Sequence, residues 1–211
     1  PKIRISDIVF HGNTQVKSGK LRRKMKETKR KRWYTFASAK FYESEYEKDK
    51  VAVLEQYADK GMRDAKISKD TIYRISPKRI LLEITVDEGR KYYFRNISWV
   101  GNSKYATKDL NKILNIKKGD VYDQSLLEAR LFMNAGGTDV SSLYMDDGYL
   151  FFQVTPVEIL VEGDSIDLEL RVYEGKQAII DQVTITGNSK TNDKVVMREV
   201  RTRPGQLFRR S

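Results

Sequence analysis

Val9-Phe10-His11-Gly12-Asn13 has two further variants along this chain of 211 residues. It returns as Trp99-Val100-Gly101-Asn102-Ser103 and as Ile185-Thr186-Gly187-Asn188-Ser189, so the three glycines are spaced 89 and 86 residues apart. In each copy, β-branched or aromatic residues lead to Gly-Asn, a turn signal, which predicts a strand that ends there. The chain therefore contains a repeating unit that begins with a strand.

Two further signatures keep nearly the same spacing. Tyr57-Ala58-Asp59-Lys60-Gly61-Met62 is matched by Tyr144-Met145-Asp146-Asp147-Gly148-Tyr149, and Leu82–Gly89 is matched by Leu168–Gly175. Signatures that recur in one order indicate tandem copies of a small domain. We expect domains over 1–90 and 91–176, with the first part of a further copy over 177–211. Because that copy is incomplete, we expect the chain to be a piece of a longer protein.

Each unit is predicted to contain two helices after its first strand. In the second unit, Thr107 is a candidate N-cap for the first helix. The second helix is expected over about 45–60 in the first unit, with a buried stripe of Val51, Leu54, Tyr57 and Ala58. Its counterpart is expected to break at Ala135–Thr138, since each of the two glycines there costs a helix about 1 kcal/mol relative to alanine.

Two strands then close each unit. In the last strand, apolar residues alternate with polar ones at Ile80, Leu82, Ile84 and Val86, and again at Ile166, Leu168, Leu170 and Val172. This period of two predicts one buried and one open sheet face. The order strand, helix, helix, strand, strand predicts an α+β fold in which two helices pack on a three-stranded sheet.

The composition limits the chemistry of the chain. There is no cysteine, which excludes disulfides and thiol catalysis, and the single histidine, His11, has no second histidine to share a metal. Carboxylate pairs such as Asp87-Glu88 and Asp146-Asp147 are interpreted as solvated caps and turns, and the Gly136-Gly137 segment follows a helix, unlike a phosphate-binding loop. We therefore expect no enzymatic activity, no cofactor and no metal.

Basic residues are in excess, with 40 Lys and Arg against 29 Asp and Glu and a net charge of +11. Nine of them lie in Lys20–Arg32, followed by Trp33. Basic residues next to aromatics are typical of membrane interfaces and of single-stranded nucleic-acid binders. Contact with an anionic surface is assigned to Arg30, Lys31, Arg32 and Trp33. A solvated helix face, or aromatics packed on their own domain, are the alternatives.

The second and third copies contain the segments Lys117–Asp123, Tyr144–Phe152 and Arg201–Phe208. Together with the order of strands and helices, these segments resemble the POTRA domains of BamA-type outer-membrane assembly proteins, in particular those of Bacteroidetes. The resemblance implies tandem POTRA domains with a mixed sheet, in the periplasmic portion of a bacterial outer-membrane protein. It implies as partners unfolded outer-membrane β-barrel proteins, accessory assembly lipoproteins and periplasmic chaperones, with no nucleic acid. The link over 32–42 is longer than its counterpart in the second unit.

In POTRA domains the second strand of the unit lies at a sheet edge, here Ala65–Ile75 and Phe152–Leu160. An edge can accept an extended peptide as an added strand. The candidate partner-binding residues are Lys66, Ile67, Ser68, Ile72 and Tyr73 at the first edge, and Phe152, Gln153, Val154, Val157 and Ile159 at the second. Lys66, Lys69 and Arg74 protect the first edge, whereas Phe151, Phe152 and Val154 are expected to make the second more adhesive.

Other functions stay open at this point. The edges could be solvated or covered by neighbouring domains, which would make the chain a passive structural spacer. A basic nucleic-acid-binding tandem domain would explain the charge. Small KH domains also mix strands and helices, but their Gly-x-x-Gly segment between two helices is missing from both units.

Overall fold

The computed structural model describes residues 3–30, 40–132, 134, 136–187 and 192–210. It divides into two compact units. The first unit takes 1–94, 119–125 and 161–166, and the second takes 95–118, 126–160 and 167–211. The first unit thus combines the first sequence repeat with three short segments of the second repeat, 91–94, 119–125 and 161–166.

The first repeat consists of β1 (Arg4–His11), α1 (Ser18–Lys24), α2 (Glu43–Ala58), β2 (Lys66–Ser76) and β3 (Arg79–Asp87). Its sheet has the order β1-β3-β2, with β3 parallel to β1 and antiparallel to β2. A parallel pair needs a long crossover, here through two helices, whereas β2 and β3 join through a tight hairpin. The last strand of the repeat is therefore the central strand, and β1 and β2 are its edges.

The core of this repeat follows the predicted alternation of β3. Ile80, Leu82, Ile84 and Val86 are all buried, and β1 places Ile5, Ile8 and Phe10 beside the first three of them. The prediction for α2 is wrong at Val51, which is 56% exposed. The buried side of α2 is formed by Tyr46, Asp49, Val53 and Tyr57. These positions are spaced by three or four residues, and Val51 lies off that face.

The second repeat consists of β4 (Tyr93–Val100), α3 (Thr107–Leu114), α4 (Gln124–Leu131), α5 (Val140–Asp146), β5 (Gln153–Glu162) and β6 (Ser165–Tyr173). Its sheet has the order β4-β6-β5, which again puts the last strand in the centre. A further helix, α6 (Asp193–Glu199), belongs to the third copy. The α+β fold class is confirmed.

The predicted break in the second helix is confirmed as the interval between α4 and α5. Asp139 ends this interval, because its carboxylate accepts a hydrogen bond from the Ser142 backbone N–H at 2.8 Å and caps α5. The predicted cap of α3 is wrong. Ala106 occupies the N-cap position and makes no side-chain cap bond, while the Thr107 hydroxyl accepts a hydrogen bond from the Asn102 amide at 3.3 Å.

Candidate functional site at the sheet edges

The candidate site consists of two outer strands. β2 and β5 each lie at the end of a three-stranded sheet, so within the described residues each pairs with a strand on one side only. Along such a strand every second residue directs its N–H and C=O away from the sheet. These groups could bond to an added strand. We call these outer sides the β2 edge and the β5 edge.

The β2 edge carries features that oppose strand addition. Its register with β3 shifts between Ile67 and Lys69 and again between Arg74 and Ser76, so that each end of the strand has a bulge. Bulges and charges both discourage pairing at an edge. Lys66 contacts Asp87 at 3.5 Å, and in the middle of β2 Asp70 accepts a bond from Lys50 of α2 at 2.8 Å.

The β5 edge differs in the continuity of its apolar surface, since β2 exposes Ile72, Tyr73 and Ile75 with Arg74 between them. Ile159, Leu160 and Val161 are 52%, 49% and 43% exposed, three apolar residues in succession near the hairpin tip. Phe151, just before the strand, is 63% exposed, as its predicted adhesive role requires. Long apolar edges are the kind that attract a further strand.

Two candidate residues of the second edge belong to the core instead. Phe152 precedes β5 and is 5% exposed, because its ring stacks on Tyr144 with the ring centroids 4.0 Å apart. Val154 lies in β5, but its side chain is buried. The predicted adhesive character of these two side chains is therefore wrong. Gln153, Val157 and Ile159 lie in β5, while Lys66, Ile67, Ser68, Ile72 and Tyr73 all lie in β2.

A glutamate contact that the sequence interpretation missed holds each repeat together. Glu88 accepts hydrogen bonds from the Thr14 hydroxyl and, at 2.9 Å, from the Gln15 backbone N–H, just after the Gly-Asn pair. Glu174 accepts the equivalent hydrogen bonds from the Ser103 hydroxyl and the Lys104 backbone N–H. The two signatures Gly-Asn and Glu-Gly are thus bonded partners. Their shared spacing is the available signal, and the interpretation of Glu88 as a solvated cap is wrong.

Electrostatics agree with this role for both glutamates. Partial burial alone would raise the pKa of Glu174, but hydrogen bonds from Ser103, Lys104 and Tyr144 hold that pKa below its usual range. Partial burial opposes the shift at Glu88 as well, and bonds from Thr14 and Gln15 lower its pKa. A carboxylate that accepts several hydrogen bonds is stabilised in its charged form.

Gly61 and Gly148, the glycines of the signatures Tyr57–Met62 and Tyr144–Tyr149, each bond to the start of the next repeat. We call these contacts the repeat junctions. The Gly61 carbonyl accepts a bond from the Tyr92 N–H at 2.8 Å, and the Tyr92 carbonyl accepts one from the Tyr122 N–H at 2.9 Å. The second junction has the same pattern, with Gly148, Ala178 and Phe208 bonded at 2.7 and 2.9 Å. Gly61 and Gly148 have φ of 84° and 86°, which is the left-handed backbone conformation that glycine commonly adopts just after an α-helix.

A family model described as POTRA, surface antigen variable number repeat, matches residues 3–89, 92–175 and 178–211. The chain belongs to the POTRA family. The three matched segments follow the three copies in the sequence and cover nearly all of the chain.

The relatives of this POTRA chain are outer-membrane assembly factors. A candidate outer membrane protein assembly factor of Treponema pallidum (strain Nichols) is 27% identical over 98% of the chain and 24% of the relative. Outer membrane protein assembly factor BamA of Neisseria meningitidis serogroup B is 28% identical over 94% of the chain and 25% of the relative. The chain thus spans about a quarter of the length of these relatives. By these matches the chain is similar to the POTRA region of BamA-type outer-membrane assembly factors.

Solved POTRA structures share this fold. The crystal structure of Haemophilus influenzae BamA POTRA3-5 has a TM-score of 0.68 and 20% identity, and covers 99% of this chain and 81% of that chain. BamA of Haemophilus ducreyi lacking POTRA domains 1-3 has a TM-score of 0.56 and 18% identity, with coverage of 83% and 30%. At these identities the likeness establishes the fold alone. The narrower resemblance to Bacteroidetes stays a prediction.

The predicted anionic contact is only partly within the structure. Arg30 donates from Nη1 to the Asp7 carboxylate at 3.1 Å, whereas Lys31, Arg32 and Trp33 lie outside the described residues. Across the described ranges, no group of three His, Cys, Asp or Glu residues could hold a metal. No helix in the same ranges combines the length and the hydropathy of a membrane span.

Proposed function

We propose that this chain is the periplasmic POTRA arm of an outer-membrane barrel assembly protein, and that it binds nascent barrel proteins by strand addition. The observation that carries the proposal is the β5 edge, with Ile159, Leu160 and Val161 exposed in succession. Side chains alternate between the two faces of a strand, so apolar groups lie on both faces of this edge. Barrel strands are extended and alternate apolar with polar residues, which suits them to such an edge.

The backbone supplies the affinity in this mode of binding. The hydrogen bonds between paired strands join backbone groups and do not depend on the side chains, so one edge can accept strands of many different clients. Side-chain pockets then add preference. A groove of about 630 Å³ beside the start of β5 is lined by Phe132, Met145, Gln153, Thr155 and Arg210, among others, and could take side chains of an added strand.

Accessory assembly lipoproteins and periplasmic chaperones are the other partners that we propose, at either edge. We also propose that the domain limits are 1–90, 91–176 and 177–211, which the three matched segments support. Membership of the POTRA family favours this function over the nucleic-acid alternative. A passive spacer remains the alternative that the experiment below distinguishes.

Pro156 indicates which backbone groups of β5 face outward. Proline inside an edge strand directs its nitrogen away from the neighbouring strand. Because the N–H direction alternates along an antiparallel strand, the N–H of Glu158 is expected to point outward and that of Val157 toward β6. Glu158→Pro therefore removes an outward donor, and Glu158→Ala removes the same side chain but keeps the donor.

The experiment measures binding of a fluorescent ten-residue peptide of alternating Val and Thr to both variants by anisotropy. We expect Glu158→Pro to weaken binding roughly tenfold and Glu158→Ala to change it less than about twofold, since a ladder bond contributes more than an exposed side chain. The same peptide with alternate amides N-methylated should bind neither variant. Val157→Pro should instead destabilise the fold, because it removes a bond to β6.

Circular dichroism checks that the variants compared for binding are folded. If the two Glu158 variants bind equally and the N-methylated peptide binds as well as its parent, strand addition at the β5 edge is wrong. A chain that binds no strand peptide at all would be a spacer.

A further inference from the structure

A basic cleft lies on the opposite edge of the second sheet from β5. It has a volume of about 630 Å³ and runs between β4 and α3. Its lining includes Arg95, Ile97, Lys108, Lys112, Lys117 and Lys118. All of these residues belong to the second compact unit. Neither sequence motif nor strand addition at β5 accounts for this concentration of cations.

Arg95 and Lys112 contact carboxylates of the protein itself. Arg95 holds Asp167 through two bonds, from Nε at 2.8 Å and from Nη2 at 2.9 Å. Lys112 contacts Asp109 at 2.8 Å in a pair that is exposed on both sides, so its ammonium group stays accessible. Lys108 and Lys118 are exposed and form no ion pair in the described part of the chain. The cleft therefore keeps an excess of positive charge at its surface.

The corresponding place in the first repeat is filled by the chain itself. Ile8 and Ile97 each lie four residues before the repeat glycine. Arg22 of α1 donates to the Ile8 carbonyl at 3.0 Å, and the Asp7 carboxylate accepts the Ile8 N–H at 2.9 Å. In the second repeat, no side chain of the described residues bonds to the Ile97 backbone. The cations of α3 border an open cleft instead.

We propose that this cleft binds an acidic peptide segment in extended conformation, lying along β4 with its carboxylates toward α3. Lys108 and Lys112 are one helical turn apart, about 6 Å along the axis. Alternate side chains of an extended strand are spaced about 6.6 to 6.8 Å apart, so carboxylates at every second position match this interval. A phosphate group is more compact than a cleft whose lining includes cations from Lys108 to Lys118. An acidic strand therefore fits the cleft better than a lipid headgroup.

The test uses fluorescent peptides and the purified protein. A peptide of four Glu-Ser repeats should bind, and its affinity should fall as salt rises, because the pairs are exposed. A peptide with four Glu followed by four Ser has the same charge but the wrong spacing, and should bind several-fold more weakly. Peptides of Lys-Ser repeats should not bind.

The matched variants have equal charge changes. Lys108→Glu with Lys118→Glu should weaken binding of the Glu-Ser peptide by about tenfold, since each of two exposed contacts becomes a repulsion. Lys78→Glu with Lys176→Glu, two exposed lysines away from the cleft, should change it less than about twofold. Glu158→Pro should leave it unchanged, which separates this site from the β5 edge. Circular dichroism verifies the fold of each variant.

Three results would overturn the proposal. Equal weakening by both lysine pairs would mean that net charge alone attracts the peptide. Equal binding of the two peptide spacings would contradict the extended conformation. Absence of peptide binding, together with binding to phosphatidylglycerol vesicles that Lys108→Glu with Lys118→Glu abolishes, would assign the cleft to lipid phosphate.

Discussion

The two repeats share their internal contacts and differ at their edges. Glu88 and Glu174 bond equivalent loops, and Gly61 and Gly148 form equivalent junctions. The β2 edge, in contrast, has two bulges and several charges, whereas the β5 edge exposes three apolar residues in succession. Contacts that hold the domain together are thus repeated, while surfaces open to partners have diverged. This is the pattern expected when one fold is used twice for different contacts.

The largest effect is expected at a glycine that both repeats need. In Gly101→Ala the new Cβ would lie 2.3 Å from the Val172 carbonyl oxygen, at a φ of 90°. Gly119→Ala is the matched control, because its φ is 87° and no atom lies within 4 Å of its Cβ. We expect losses in the free energy of unfolding of about 3 kcal/mol for Gly101→Ala and about 1 kcal/mol for Gly119→Ala. Urea denaturation measures both; equal losses would mean that the contact with Val172 is unimportant.

A smaller loss of stability is expected at a tyrosine position that both repeats share, and it should differ between them. Tyr144 donates its hydroxyl to Glu174 at 3.0 Å, while the buried hydroxyl of Tyr57 lies near Glu88 but forms no well-aligned hydrogen bond with any described residue. Tyr144→Phe should destabilise the protein by about 1 to 2 kcal/mol, because it leaves a carboxylate with one bond fewer. Tyr57→Phe should cost less than Tyr144→Phe, since the Tyr57 hydroxyl makes the weaker contact with its glutamate. Thermal unfolding measures the stability of both variants. A larger loss of stability for Tyr57→Phe than for Tyr144→Phe would contradict the difference between the repeats.

The smallest effect on stability, and the most direct on function, is expected at the edges. Ile159 and Ile72 are matched, at 52% and 46% exposed. Ile159→Lys should weaken binding of the Val-Thr peptide several-fold, because it places a charge on an apolar edge. Ile72→Lys should change binding little, since Lys69 and Arg74 already flank that position. Both should alter the free energy of unfolding by less than about 0.5 kcal/mol. Stronger loss at Ile72 would reverse the assignment of the binding edge.

The sequence by itself determined the repeating unit, its element order and its helix break. The alternation of β3 and the two glycines after α4 act through neighbouring residues, so their consequences can be inferred locally. The periodicity of α2 was less informative. Its buried face includes Asp49, whose carboxylate accepts the backbone N–H groups of Glu27 and Thr28. A polar residue on the buried face and an exposed Val51 cannot be recognised from hydrophobic spacing alone.

Only the tertiary structure decided which residues of the candidate site face outward. Phe151 and Phe152 are neighbours of equal type, yet Phe152 stacks on Tyr144 of α5 and Phe151 is exposed. The bonds of Glu88 to Thr14 and the basic cleft between β4 and α3 join residues from different elements. A sequence pattern records the local conformation of each segment. The packing of distant segments determines which of their groups meet and which remain available to a partner.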